Sequence, residues 1–236
     1  MGRLIPAYFN WSGGKDSTLA LYEVLQNKQF DIRYLLTTFN EEADRISMHG
    51  VRSELLLAQA ESLGISVKQV QLPASSDMQA YESVMNKAIQ ELKSEGIQDC
   101  IFGDIFLEDL RIYREQKLHE VSISAHFPLW KQDTKELIRE FIDLGFKTIV
   151  VCVDSSKLDE SFAGRVIDHQ FLADLPDNVD PCGENGEFHT FVFDGPIFKD
   201  PIPFQVGEQV LKTYTAQNQQ GETIEYGFWF QDLIPL

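Results

Sequence analysis

Ser12-Gly13-Gly14-Lys15-Asp16-Ser17 stands directly after an apolar run, residues 5–11, and before a stretch of helical period, residues 17–26. Adjacent glycines let a backbone turn tightly and come close to a ligand. The amides of such a turn, with a new helix behind them, point at an anion, and Ser12, Lys15 and Ser17 add side-chain donors. The chemistry this suits is phosphate binding. Two glycines alone would more simply reverse the chain, but six suitable residues at a strand-to-helix junction weaken that reading. A Walker A loop needs Ser or Thr straight after Gly-Lys, where this chain has Asp16. A carboxylate beside phosphates is tolerated with a cation between them, so Asp16 reads as a Mg2+ contact.

The same six residues resemble the SGGxDS signature of the N-type ATP pyrophosphatases, the PP-loop superfamily. That resemblance implies splitting of ATP between its α and β phosphates and adenylation of an acceptor; amide-forming synthetases and tRNA sulfur transferases both belong there. Three further blocks follow in order: Gly103-Asp104-Ile105, Pro128-Leu129-Trp130, and Cys182-Gly183-Glu184-Asn185-Gly186-Glu187-Phe188-His189-Thr190. Together they resemble the GDI, PLW and GExGE(F/Y)HT-like blocks of the diphthine-ammonia ligase family, over nearly the whole chain. The implied activity is ATP-dependent amidation of a carboxylate by ammonia, with ATP and Mg2+. The implied acceptor is diphthine on a translation elongation factor; in a bacterial source it would be something else. Residues 116–124 lack the cysteine that many relatives carry shortly before PLW.

The resemblance places Ser12, Gly13, Gly14, Lys15, Asp16, Ser17, Gly103 and Asp104 at the nucleotide, with Thr37, Thr38 and Phe39 bordering adenine and His49 nearby. Asp104 would end a buried strand, where a carboxylate is costly unless hydrated, paired or bound to metal; it is the second expected metal contact after Asp16. Catalysis is expected from Lys15, Asp16, Glu187 and His189. Glu184, Gly186, Glu187, His189, Thr190 and Trp130 are expected to line the acceptor pocket, a tight turn at Gly183 and Gly186 presenting the two glutamates. Strand alternation would put His189 on the opposite face from Phe188. His119, His126 and His169 show no ligand spacing and read as structural.

Such a site needs a sheet to hold it. Apolar runs alternate with stretches of helical period, the pattern of an α/β, Rossmann-like parallel sheet. Strands are expected over residues 5–11, 33–39, 65–72, 99–105 and 148–153, with helices over 17–26, 50–63, from Ser76 to 96, and 137–144 behind an Asp133/Glu136 cap. After about residue 156 one helix, a Gly/Asn/Asp-rich loop and three strand-like runs suggest a smaller α+β unit, its last two strands joined by a turn at Gln220 and Gly221. The expected division is an ATP-binding domain over 1–127 and an acceptor domain over 128–236. No internal repeat is visible.

Composition narrows the partners. The 236 residues carry 20 Lys+Arg against 37 Asp+Glu, a net charge of -17, which opposes nucleic acid and anionic membranes. The excess is uneven: 15 of the acids but only 4 of the bases fall in residues 151–236. Cys100, Cys152 and Cys182 form no CxxC pair, so a disulfide framework and the paired thiols of a sulfur transferase are not expected. With no signal-like or membrane-length run near its start, the chain is expected in the cytoplasm, taking ammonia from solution or a partner. A homo-oligomer, an ATP-dependent sulfur or tRNA transferase, and a non-catalytic ATP-binding module remain open on sequence grounds.

Overall fold

The computed structural model describes residues 3–40, 45–46, 50–72, 78–217 and 223–236. His49, Ser76 and the turn at Gln220 and Gly221 lie outside the described residues.

β1 (Ile5–Asn10) is followed by α1 (Lys15–Asn27), β2 (Phe30–Asn40), β3 (Arg45–Ile46), α2 (Ser53–Leu63), β4 (Ser66–Leu72), α3 (Met78–Ser94), β5 (Asp99–Ile101), α4 (Glu108–Glu120) and β6 (Ser124–His126). Ala7 and Phe9 belong to one apolar cluster and Tyr8 to another, all three buried. Cover on both faces is what a parallel sheet requires. The strands lie in the order β4-β2-β1-β5-β6, all parallel, with β3 running antiparallel at the end of β2. The chain winds outward from β1 to β4, then returns to set β5 and β6 on the other side. The order therefore reverses between β1 and β5, and ligands of such sheets bind at the carboxyl ends flanking that switch.

A second sheet follows. α5 (Thr134–Asp143) leads into β7 (Lys147–Asp154), then come α6 (His169–Asp174), β8 (Phe188–Asp194), β9 (Phe204–Gln217) and β10 (Thr223–Pro235). The sheet is antiparallel in the order β8-β7-β10-β9. Asp133 caps α5 by accepting from the amides of Lys135 and Glu136 at 2.9 and 3.1 Å. The two sheets share one core, in which Phe9, Leu19 and Leu55 join Phe141, Val150 and Phe191. Among the described residues no helix is long and apolar enough to cross a membrane.

Several features depart from the sequence reading: the strand expected at 148–153 is β7 of the antiparallel sheet, and β3 and β6 were not expected. β5 stops at Ile101, so Gly103 and Asp104 stand in the loop beyond the strand rather than in it. α4 was not expected, because Leu118 is its one buried residue and no apolar stripe marks it. Cations stacked on aromatic rings hold it instead: Arg111 lies 4.8 Å from the Phe127 centroid and 4.5 Å from that of Trp130, and Arg114 lies 4.5 Å from that of Phe102.

Candidate functional site

The loop between β1 and α1 sits at the switch. Gly13 has φ +76, and a Cβ there would stand 2.6 Å from Gln59 Oε1, so the position takes glycine for both conformation and space. Gln59, fully buried on α2, accepts from the Trp11 indole at 3.2 Å and donates to the carbonyls of Gly13 and Val192. The Val192 amide donates to Gly13 O at 3.0 Å. One amide side chain thus ties the loop to α2 and to β8. Gln59→Leu would strand these buried partners at about 1–3 kcal/mol each. A melting temperature lowered by several degrees, together with a raised KM for ATP, is expected from calorimetry and steady-state kinetics.

The loop also closes on itself. Ser12 Oγ lies 3.0 Å from Ser17 Oγ and accepts from the Gly14 amide at 3.2 Å, while Ser17 Oγ donates to Gly14 O at 2.9 Å. The Lys15 amide, at the start of α1, donates to Thr190 Oγ1 at 3.0 Å. Lys15 is 4% exposed, and its ammonium sits 2.7 Å from Asp16 Oδ2 and 5.5 Å from the centroid of the Phe188 ring. Burial works against that charge, but Asp16, Cys182 and Glu184 outweigh it and hold the lysine above its usual pKa.

Gly103 packs against the first turn of α1: a Cβ there would meet Ser17 N at 2.7 Å and Asp16 C at 2.9 Å. The next residue, Asp104, pairs with Arg114 of α4. Across the cleft Glu184 Oε1 accepts from the amides of Ile105 and Phe106 at 2.9 and 3.4 Å. Burial first, and then Asp16, raise the Glu184 carboxyl to about 7. Burial likewise raises Asp16, with Lys15 opposing and Asp180 adding to it, and raises Asp104, with Arg114 opposing and Asp16 adding to it. Asp16 therefore disfavours ionisation of both Asp104 and Glu184.

Such a cluster is short of positive charge, the more so beside any anionic ligand. Asp16 and Asp104 suit Mg2+, which takes one or two carboxylates and completes its shell with phosphate oxygens and water. No larger group of potential metal ligands occurs among the described residues.

Ser12 to Ser17, Gly103, Asp104, Glu184 and Thr190 are thus brought together. Thr37, Thr38 and Phe39 lie where β2 runs past the end of β1, whose pairing stops at Leu36; on the other edge they pair with Gln69, Val70 and Gln71 of β4. Four expected roles need correction. Glu187 is 2% exposed and accepts from the amides of Asp180 and Asn185 and from Asn185 Nδ2, so it holds its own turn rather than facing the cleft. Gly186, at φ +83 with its amide on Gly183 O, shapes that turn. Phe188 and Thr190 face Lys15, so alternation turns His189 to the other side of β8. Trp130 stacks under Arg111. Gln59 and Arg114 were missed, since a lone glutamine or arginine on a helix carries no motif.

Family models match both parts of the chain. The N-terminal domain of diphthamide synthase matches residues 7–124 and its C-terminal domain residues 133–219. Diphthine-ammonia ligase from Homo sapiens is 24% identical over 174 residues, 68% of this chain and 65% of that protein. The Mus musculus ligase is 32% identical over 129 residues, 52% of this chain and 48% of that protein. The matched stretches span about half to two thirds of the human, rat and cattle relatives. Among solved structures, the U34-tRNA thiolase of Methanococcus maripaludis is 18% identical with a TM-score of 0.36, covering 61% of this chain and 59% of that one, an overlap too partial to bear on function.

Proposed function

Because the chain belongs to the diphthamide synthase family, we propose that it is an ATP-dependent carboxylate-ammonia ligase. It would cleave ATP between the α and β phosphates, form an acyl-adenylate and release an amide. Residues 1–127 hold the nucleotide in this reading, and residues 128–236 close over it. The observation that carries the reading is the convergence of the loop at 12–17, the turn at 103–106 and Glu184 on one switch-point cleft.

The amides at the start of α1 and the Lys15 ammonium bind the triphosphate and take up charge on the leaving pyrophosphate. Mg2+, held by Asp16 and Asp104, would supply further charge neutralisation. An acceptor carboxylate oxygen attacks the α phosphorus as the bond to the bridging oxygen breaks. Glu184, its carboxyl raised to about 7 by burial, takes a proton from ammonium when ionised; the ammonia nitrogen then attacks the acyl carbon, gives up a proton to water, and AMP leaves. Holding two anions in line removes the main entropic and electrostatic obstacle. The acceptor suggested by the relatives' name is diphthine, and 15N-ammonium with a diphthine-bearing elongation factor tests this directly. A labelled amide on the factor is expected; no mass change would overturn this acceptor.

Asp16→Asn keeps shape and removes charge. It should fold and bind nucleotide yet lose about 100-fold or more in kcat, a loss comparable to removing other charge-stabilising groups. Full activity would remove Asp16 from the mechanism.

A further inference from the structure

A cavity of about 210 Å³ lies on the opposite face of the parallel sheet from α1, between α3 and α4. We propose that it receives the body of the acceptor, a carboxylate carried on a flat, partly aromatic group, and that Arg114 at its lip anchors that carboxylate. The inference rests on the ligase reading and names a place for the acceptor that the turn at 184–190 does not provide.

Size comes first. At about 30 Å³ per water the cavity holds roughly seven waters, which is room for one large side chain. Its walls decide the chemistry. Tyr81 and Met85 of α3, Tyr113 of α4 and Phe102 line it, and aromatic and thioether groups of this kind take a flat apolar body. Lys117 sits 2.9 Å from Glu82 and 3.9 Å from Glu120, so it offsets one of these two rim carboxylates.

Position links the cavity to the phosphate loop. Asn10 lines it and stands two residues before Ser12, while Phe102 lines it and precedes the Gly103 that touches α1. Arg114 joins the two spaces, its guanidinium stacked on Phe102 and one nitrogen, Nη1, on Asp104. A guanidinium has five donors in a rigid fork suited to carboxylates. A carboxylate docked on its remaining donors would lie beside Asp104, which follows the Gly103 packed against the first turn of α1.

Two variants narrow the cavity from opposite walls without touching the loop: Met85→Trp on α3 and Leu110→Trp on α4. The measurement is amidation of a diphthine-bearing elongation factor with ATP and ammonium, beside ATP affinity by calorimetry without acceptor. The expected result is a KM for the factor raised about tenfold or more in each variant, the signature of lost acceptor binding, with ATP affinity held within about twofold and Arg114→Lys raising the same KM. A wild-type enzyme that fails to amidate the factor overturns the ligase reading for this acceptor, and the inference with it. An active wild type whose filled variants keep the same KM overturns the inference alone, as does a parallel loss of ATP affinity, which would give the cavity to the nucleotide.

Discussion

Gly103→Ala is expected to lower kcat/KM for ATP by about 100-fold, the scale of loss when reacting groups shift by roughly 1 Å. The added Cβ would fall 2.7 Å from Ser17 N, 2.8 Å from Ser17 Cα and 2.9 Å from Asp16 C. All three are backbone atoms of the first turn of α1, so no side chain can swing aside. Either α1 retreats with its amides and Lys15, or the turn at 103–106 lifts and takes Asp104 with it. Steady-state kinetics and ATP titration would register both. Unchanged kinetics would mean that the close contact is incidental to the site.

Glu184→Gln is the second large effect, and it depends on pH. Burial and then Asp16 lift the carboxyl from 4.5 to about 7. Between those values the folded chain keeps a proton that the unfolded chain has lost, so the folded state binds more protons and stability falls as pH rises. Glutamine can still accept from the Ile105 and Phe106 amides but has nothing to ionise. Relative to wild type the variant should therefore gain thermal stability on going from pH 5 to pH 8, while kcat for amide formation falls about 100-fold with the loss of a general base. Parallel melting curves across this range would show that Glu184 does not carry the shift.

The parts of this architecture legible in the sequence are those with a local signal. The apolar run at 5–11 and the glycines after it mark a strand and a loop because those residues allow little else, and Asp133 marks a cap by its distance from Glu136. α4 escaped because it is held by Arg111 and Arg114 over aromatic rings, contacts between residues with no periodic relation. Gln59 escaped for the same reason, its three partners being Trp11, Gly13 and Val192. The acidic block at 184–190 divides between its two glutamates. Its motif says that glutamates matter there, but only the fold shows that Glu184 reaches across to Ile105 while Glu187 turns back onto Asp180 and Asn185.

The central claim is that the loop at 12–17 serves cleavage between the α and β phosphates. Chromatography of the nucleotides formed during turnover, with pyrophosphate and phosphate measured in the same samples, tests it most directly. The account predicts AMP and pyrophosphate in equal amounts, matched to the amide formed and abolished by Asp16→Asn. ADP and phosphate as the stoichiometric products would contradict it.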